Sequence, residues 1–205
     1  MVRNFVPVLP EPAPGLSLPE WNAPLFFYFG RIDENKNFSE FVKGLSLLRT
    51  RLDQQPLGLV FGPVVPGFPL AEVIRSNHAE GFVVMFPPVP FEHSHILMQL
   101  LQRRRAIFVS CSKGESFGLS AAEAMSTGLP VILSDIPPHA ALAGRSDALL
   151  YPLADLACLA NRMASAITNY DALSAKSLEL ARHFSEQAFL DDWRRVAATC
   201  PAGIV

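Results

Sequence analysis

The chain has 205 residues, with 17 Lys plus Arg against 19 Asp plus Glu for a formal net charge of −2; half of it is hydrophobic and 18% is charged. That balance excludes a disordered chain, which needs low hydrophobicity and high net charge, and a sequence pI near 6.2 leaves no bulk positive field for gripping nucleic acid. No apolar stretch reaches the ~18–20 residues of a membrane-spanning helix, and the first residues lack a signal peptide's apolar run, so the expected location is the cytoplasm.

By the soft prior of ~100–200 residues per domain, the length suits one sizeable domain. Charge is scarce and proline, at 18 residues, is abundant, which predicts more exposed apolar surface than on an average domain. Cys111, Cys158 and Cys200 are an odd count at unequal gaps. They fit neither a disulfide framework nor a zinc site and are expected to be reduced.

In chain order, the prolines between Pro7 and Pro24 make residues 1–24 a linker or strap, because such a run neither continues a helix nor sits in a central strand. The apolar runs Leu25–Phe29, Leu57–Phe61, Phe82–Phe86, Ala106–Ser110 and Val131–Ser134 are short and unbroken. They read as strands buried on both faces of a parallel sheet, with Ala148–Tyr151 a sixth. Between them Phe38–Leu52, Leu70–Ala79, Ile96–Arg104 and Leu119–Thr127 have helical spacing, and from about residue 153 the pattern is helical throughout. The expectation is one α/β domain over residues 25–205. It is a Rossmann-like doubly wound parallel sheet of about six strands, with helices on both faces and a helical C-terminus. Its ligand belongs at the carboxyl ends of the strands.

The segment from Cys111 to Pro130 leads from a buried strand through a polar loop into a small-residue helix. A helix N-terminus offers free amides and partial positive charge, so Ser116, Phe117, Gly118 and Leu119 are placed to receive an anion such as diphosphate. Gly118 lets the backbone approach closely. Glu123 stands among Ala121, Ala122, Ala124 and Met125 on a helix that reads as tightly packed, and a carboxylate there needs a partner. Side chains lean toward the helix N-terminus, so Glu123 points back to the loop, where vicinal hydroxyls would suit it. Glu115 lies in the loop itself. Two acids beside an anion site make sense for a ligand that carries both diphosphate and hydroxyls, as a nucleotide sugar does. Arg31 and Lys36, in the loop after the first strand, bring positive charge to the same sheet edge, so the charge argument requires no metal.

Gly30-Arg31 with Lys36, a Gly62-Pro63 turn, and Glu115-Ser116-Phe117-Gly118-Leu119 followed by Glu123-Ala124-Met125 and Gly128-Leu129-Pro130 resemble the donor-binding C-terminal half of a GT-B glycosyltransferase. The group is the retaining family 4, group 1 type, and the resemblance runs over roughly residues 25–185. It implies catalytic roles for Arg31, Lys36 and Glu115, with Gly30, Gly62, Ser116, Phe117, Gly118, Leu119 and Glu123 in donor binding. Glu123 would take the ribose hydroxyls. It further implies a hexosyltransferase without cofactor or metal, fed by a nucleotide sugar, with UDP favoured because it is common among relatives and a GDP-sugar the alternative. The acceptor would be a saccharide or a lipid-linked saccharide, compatible with peripheral contact at the inner face of a membrane. An acceptor-binding half has no counterpart in the sequence, so the chain alone is expected to be inactive. Two positions depart from the family pattern. Phe86-Pro87-Pro88-Val89-Pro90 stands where glycine is frequent near the base, and Cys111 stands where proline is usual.

A second reading is a non-catalytic nucleotide-binding or interaction module of the same fold. Four other features read as structural. His93 and His95 lack a further metal ligand at proper spacing apart from Glu92, Arg103–Arg105 complement a helix C-terminus, Cys111 has no base nearby in sequence, and Phe189, Trp193 and Val196 are expected to pack.

Overall fold

The computed structural model describes residues 4–6 and 18–199; most of the 1–24 linker segment and Cys200 lie outside them. The strands are β1 (Leu25–Phe29), β2 (Leu57–Phe61), β3 (Val83–Phe86), β4 (Ile107–Ser110), β5 (Val131–Ser134) and β6 (Leu150–Tyr151). They form one six-stranded sheet in the order β3-β2-β1-β4-β5-β6, and every pair is parallel. The helices are α1 (Phe38–Arg49), α2 (Leu70–Ser76), α3 (Ser94–Arg103), α4 (Leu119–Ser126), α5 (Pro137–Leu142), α6 (Leu156–Thr168), α7 (Tyr170–Ala181) and α8 (Glu186–Thr199). This is the doubly wound α/β sheet that the alternating pattern predicts.

From β1 the chain moves one way across the sheet to β3, and from β4 it moves the other way to β6. Right-handed crossovers therefore put α1 and α2 on one face and α3 to α5 on the other. Returning helices thicken both layers. On the first face α6 lies against α1, where Gly44 permits the approach: a Cβ on it would fall 2.4 Å from Leu159 Cδ2. On the second, α7 packs on α4, and Ser174 Oγ donates to the Gly128 carbonyl at 2.6 Å. Phe26, Phe27, Phe38, Phe41, Phe108 and Tyr151 are fully buried around the central strands. The core is thus rich in aromatic side chains, contributed by β1, β4 and β6 and by α1.

Three local expectations are corrected. The run that becomes β3 is not buried on both faces, because β3 is the sheet edge and Val84 and Met85 are exposed. Next, α1 and α2 stop at Arg49 and Ser76 rather than Leu52 and Ala79; in α2 the Asn77 amide caps the Val73 carbonyl at 2.8 Å and His78 turns to φ 50°. Finally, Pro137–Leu142 forms a short helix that spacing did not reveal, started by prolines at its first turn, where a missing N–H costs nothing.

Cys111 and Cys158 are free, as expected. Arg104 bonds the Leu18 carbonyl and Glu20, while Arg105 pairs with Asp171 at 2.8 Å and stacks over Tyr170. At least two of the three consecutive arginines therefore fasten the chain to itself. On the last helix Phe189 packs against Phe5, the rings tilted at 39° with centroids 4.8 Å apart, whereas Trp193 is exposed rather than packed.

Candidate functional site

The reversal of strand order falls between β1 and β4, and in such sheets the crevice opens beyond the carboxyl ends of those two strands. There the loop after β1 and the loop after β4 are stitched together. Lys113 N–H donates to the Asn35 carbonyl at 2.8 Å, and the Asn35 side-chain amide donates to the Gly114 carbonyl at 3.0 Å. The turn after β2 presses in from the side. Gly62, at φ 156°, passes so close to the β1 turn that a Cβ on it would fall 1.9 Å from the Gly30 carbonyl oxygen. No side chain fits there, so glycine at 62 is a condition for the three loops to meet.

Lys36 Nζ lies 2.5 Å from Glu115 Oε1, which also accepts from Ser112 Oγ at 2.7 Å. Both partners are largely covered. Burial works to raise the Glu115 pKa, but hydrogen bonds from Lys36 and Ser112, with the Lys36 charge, outweigh it and hold the carboxyl below its ordinary value. Gly30 lies alongside, with its would-be Cβ 3.6 Å from Lys36 Cε. Arg31 stands apart: its side chain is 63% exposed and pairs with Asp33 at 3.3 Å. Structure thus brings Gly30, Lys36, Gly62 and Glu115 together and leaves the Arg31 guanidinium at the rim.

The loop from Glu115 then enters α4. Gly118, at φ 89°, is its N-cap, and no side chain caps the helix. Ser116 and Leu119 are exposed, whereas Phe117 turns inward to meet Phe184 edge-on at 6.2 Å. Beneath the loop lie residues that sequence reasoning missed. Ser134 Oγ donates to the Ser112 carbonyl at 2.6 Å, and His139 sits 3.1 Å from Ser134. Sequence offered only their place in Ser134-Asp135-Ile136-Pro137-Pro138-His139, which runs from the end of β5 into α5 at the carboxyl edge of the sheet.

Glu123 occupies a different environment. It is buried, among the described residues its Oε1 accepts only a long bond from Ser94 Oγ at 3.3 Å, and burial raises its pKa against that donor. Its carboxylate borders a cavity of about 640 Å³ shared with His95, Gln99, Thr127 and Arg182. Lys36 and Glu115 do not line that cavity. His95 Nε2 and Gln99 Oε1 are buried without a partner among the described residues. Among those residues no group of three His, Cys, Asp or Glu side chains is arranged for a metal ion, and no helix is long and apolar enough to cross a membrane.

Comparison with known proteins gives the family and the fold. Residues 23–169 match the sequence model of the family described as "Glycosyl transferases group 1". Two curated relatives, from Xanthomonas oryzae pv. oryzae and Xanthomonas campestris, are each named GDP-mannose:cellobiosyl-diphosphopolyprenol alpha-mannosyltransferase. Each is 34% identical over 122 residues, covering 58% of this chain and 30% of the relative. The chain therefore spans about a third of the length of the curated relatives it matches.

Among solved structures, S. aureus TarM, in a complex that includes UDP, superposes with a TM-score of 0.74 at 19% identity, over 95% of this chain and 38% of that one. Anabaena HepE in complex with UDP and glucose gives 0.72 at 17%, over 87% and 49%. Sucrose-phosphate synthase from Thermosynechococcus elongatus gives 0.70 at 21%, over 87% and 47%. The fold is that of the GT-B enzymes, and by its matched residues the chain belongs to the group 1 glycosyl transferases.

Proposed function

We propose that this chain is the donor-binding domain of a retaining, metal-independent hexosyltransferase that takes its sugar from a nucleotide sugar and passes it to a saccharide or lipid-linked acceptor. The observation that carries the reading is the Lys36–Glu115 pair, 2.5 Å apart, at the strand-order reversal and beside the uncapped N-terminus of α4. A diphosphate placed there meets the Lys36 ammonium and the amides at Phe117–Leu119, with Arg31 able to swing in from the rim. Those donors stabilise the negative charge that grows on the leaving diphosphate as the glycosidic bond breaks. Positive charge from the protein takes the part a metal would otherwise play.

Glu115, held ionised by Lys36 and Ser112, then faces the transferred sugar and accepts from its hydroxyls. Glu123 receives the ribose hydroxyls. Its weak partner and its cavity support that role, because a buried carboxylate with one long hydrogen bond has acceptor capacity to spare. The base lies toward the loops after Phe61 and Phe86, where Pro63, Pro66, Pro87, Pro88 and Pro90 remove amide donors and leave carbonyls as the readers. Residues 25–205 act as one domain, and the acceptor is held by a separate one across the cleft.

A UDP-sugar is the first reading of the donor. A GDP-sugar is the second, favoured by the names of the Xanthomonas relatives at 34% identity. Titration calorimetry with UDP, GDP and ADP tests the proposal: one of the three is expected to bind below millimolar concentration and to compete with its own nucleotide sugar. If none binds at millimolar concentration, the chain is a non-catalytic module of the same fold.

A further inference from the structure

His139 has no part in the reading above, although it is 1% exposed and lies under the loop that would receive the phosphate. Its Nδ1 stands 3.1 Å from the Ser134 carbonyl oxygen and 3.1 Å from Ser134 Oγ. A carbonyl oxygen only accepts, and the Ser134 hydroxyl already gives its proton to the Ser112 carbonyl. Nδ1 must therefore carry the proton, which leaves Nε2 of the neutral ring with a bare lone pair. That edge of the ring is aimed at the α4 N-cap: a Cβ on Gly118 would lie 3.2 Å from His139 Cδ2 and 3.6 Å from Nε2. No hydrogen bond from the described residues reaches Nε2.

Resting on the donor-site reading, we infer that His139 is a further donor-binding residue: when a diphosphate settles on the α4 amides, Nε2 takes up and keeps a proton from solvent, and the resulting N–H donates a hydrogen bond to a phosphate oxygen. In the free protein, burial holds the ring below its ordinary pKa, while the Ser134 carbonyl and Glu115 push it up and Lys36 pushes it down. The charged groups that face it are Glu115 from the β4–α4 loop and Lys36 from the β1–α1 loop, and their pairing at 2.5 Å leaves little net charge. A diphosphate changes that balance. At an effective dielectric of about 20, one negative charge roughly 5 Å away alters proton affinity by about a hundredfold or more, and a diphosphate brings several. Binding is then linked to proton uptake, and affinity falls as pH rises above neutral.

The test is calorimetry with UDP and with GDP at pH 7.5 in buffers of different ionisation enthalpy, on the wild type and on His139→Asn. Asparagine keeps a donor where Nδ1 stood, so Ser134 retains its partner while Nε2 is removed. The expected result is an uptake of at least half a proton per nucleotide in the wild type, with at least half of that lost in the variant and a three- to tenfold weaker affinity. Equal uptake in the two proteins overturns this inference alone. Absence of binding by the wild type overturns the donor-site reading and this inference with it. Nitrogen-15 spectra of the wild-type ring give the same answer without a variant. A neutral Nδ1–H ring in the free protein and a doubly protonated ring in the complex support the inference, and a ring neutral in both overturns it.

Discussion

Glu115 and Glu123 lie eight positions apart in one segment, yet the fold gives them opposite surroundings. Glu115 has a lysine at 2.5 Å and a serine at 2.7 Å on the same oxygen, and it is held ionised. Glu123 has one long bond to Ser94, a bordering cavity and a raised pKa. A carboxylate whose needs are met inside the protein is part of a built charge cluster, whereas one buried and half satisfied has acceptor capacity to spare, which the proposed ligand would use. The first suits the end of the donor where charge develops. The second suits the neutral, hydroxyl-bearing ribose.

The sharpest way to break this comparison is to remove the cation. Lys36→Ala deletes a charge-assisted contact of order 1.5–3 kcal/mol and also leaves Glu115 without its counter-ion. Affinity for the nucleoside diphosphate is expected to fall about 10- to 150-fold by calorimetry. Glu123→Ala is expected to cost just over tenfold through the ribose, with the phosphate contacts intact. If the two losses were interchanged, Glu123 would be the residue nearer the phosphate.

Thermal melts separate the two acids without ligand. Glu115 has a lowered pKa, so its stabilising contribution is present above the ordinary glutamate range and is lost as pH falls through its folded value. At pH 7, Glu115→Gln should therefore cost on the order of 2 kcal/mol, or a fall in Tm of about 4–8 °C. Glu123 has a raised pKa, so the sign reverses: its contribution is present below the unfolded pKa and is lost as pH rises through the folded one. Glu123→Gln at pH 7 should raise Tm by about 2–4 °C, for roughly 1 kcal/mol, and the gain should vanish at pH 4. A fall in Tm at neutral pH would show that Glu123 has a partner that stabilises its charge.

Smallest of all is Arg31→Ala, expected to weaken diphosphate binding about threefold or less, because the guanidinium is 63% exposed and solvent screens it. A tenfold loss would mean that the guanidinium, once swung in from Asp33, is desolvated against the ligand rather than screened at the rim.

Sequence and structure agree where the signal is local. Short unbroken apolar runs located the six strands, and the small-residue stretch after Gly118 located α4, because period and composition act within a few residues. The Lys36–Glu115 contact was legible only as two charged loops at one sheet edge, since 79 residues separate the partners and only the strand order brings them together. Arg31 was expected beside Lys36, but adjacency in a turn does not fix direction, and Asp33 takes the guanidinium aside. His139 gave almost no sequence signal. Its meaning depends on a hydroxyl five residues earlier and on the Ser112 carbonyl that takes that hydroxyl's proton, a contact that exists only once β4 and β5 are paired.

The division of labour between the two carboxylates is tested most directly by pairing protein variants with a ligand variant. Wild type, Lys36→Ala and Glu123→Ala are each titrated with the nucleoside diphosphate that binds and with its 2′,3′-dideoxy form. Wild type and Lys36→Ala should both prefer the hydroxylated ligand by about tenfold, while Glu123→Ala should bind the two alike. An unchanged preference in Glu123→Ala, with the preference lost in Lys36→Ala instead, would contradict the assignment of the ribose to Glu123.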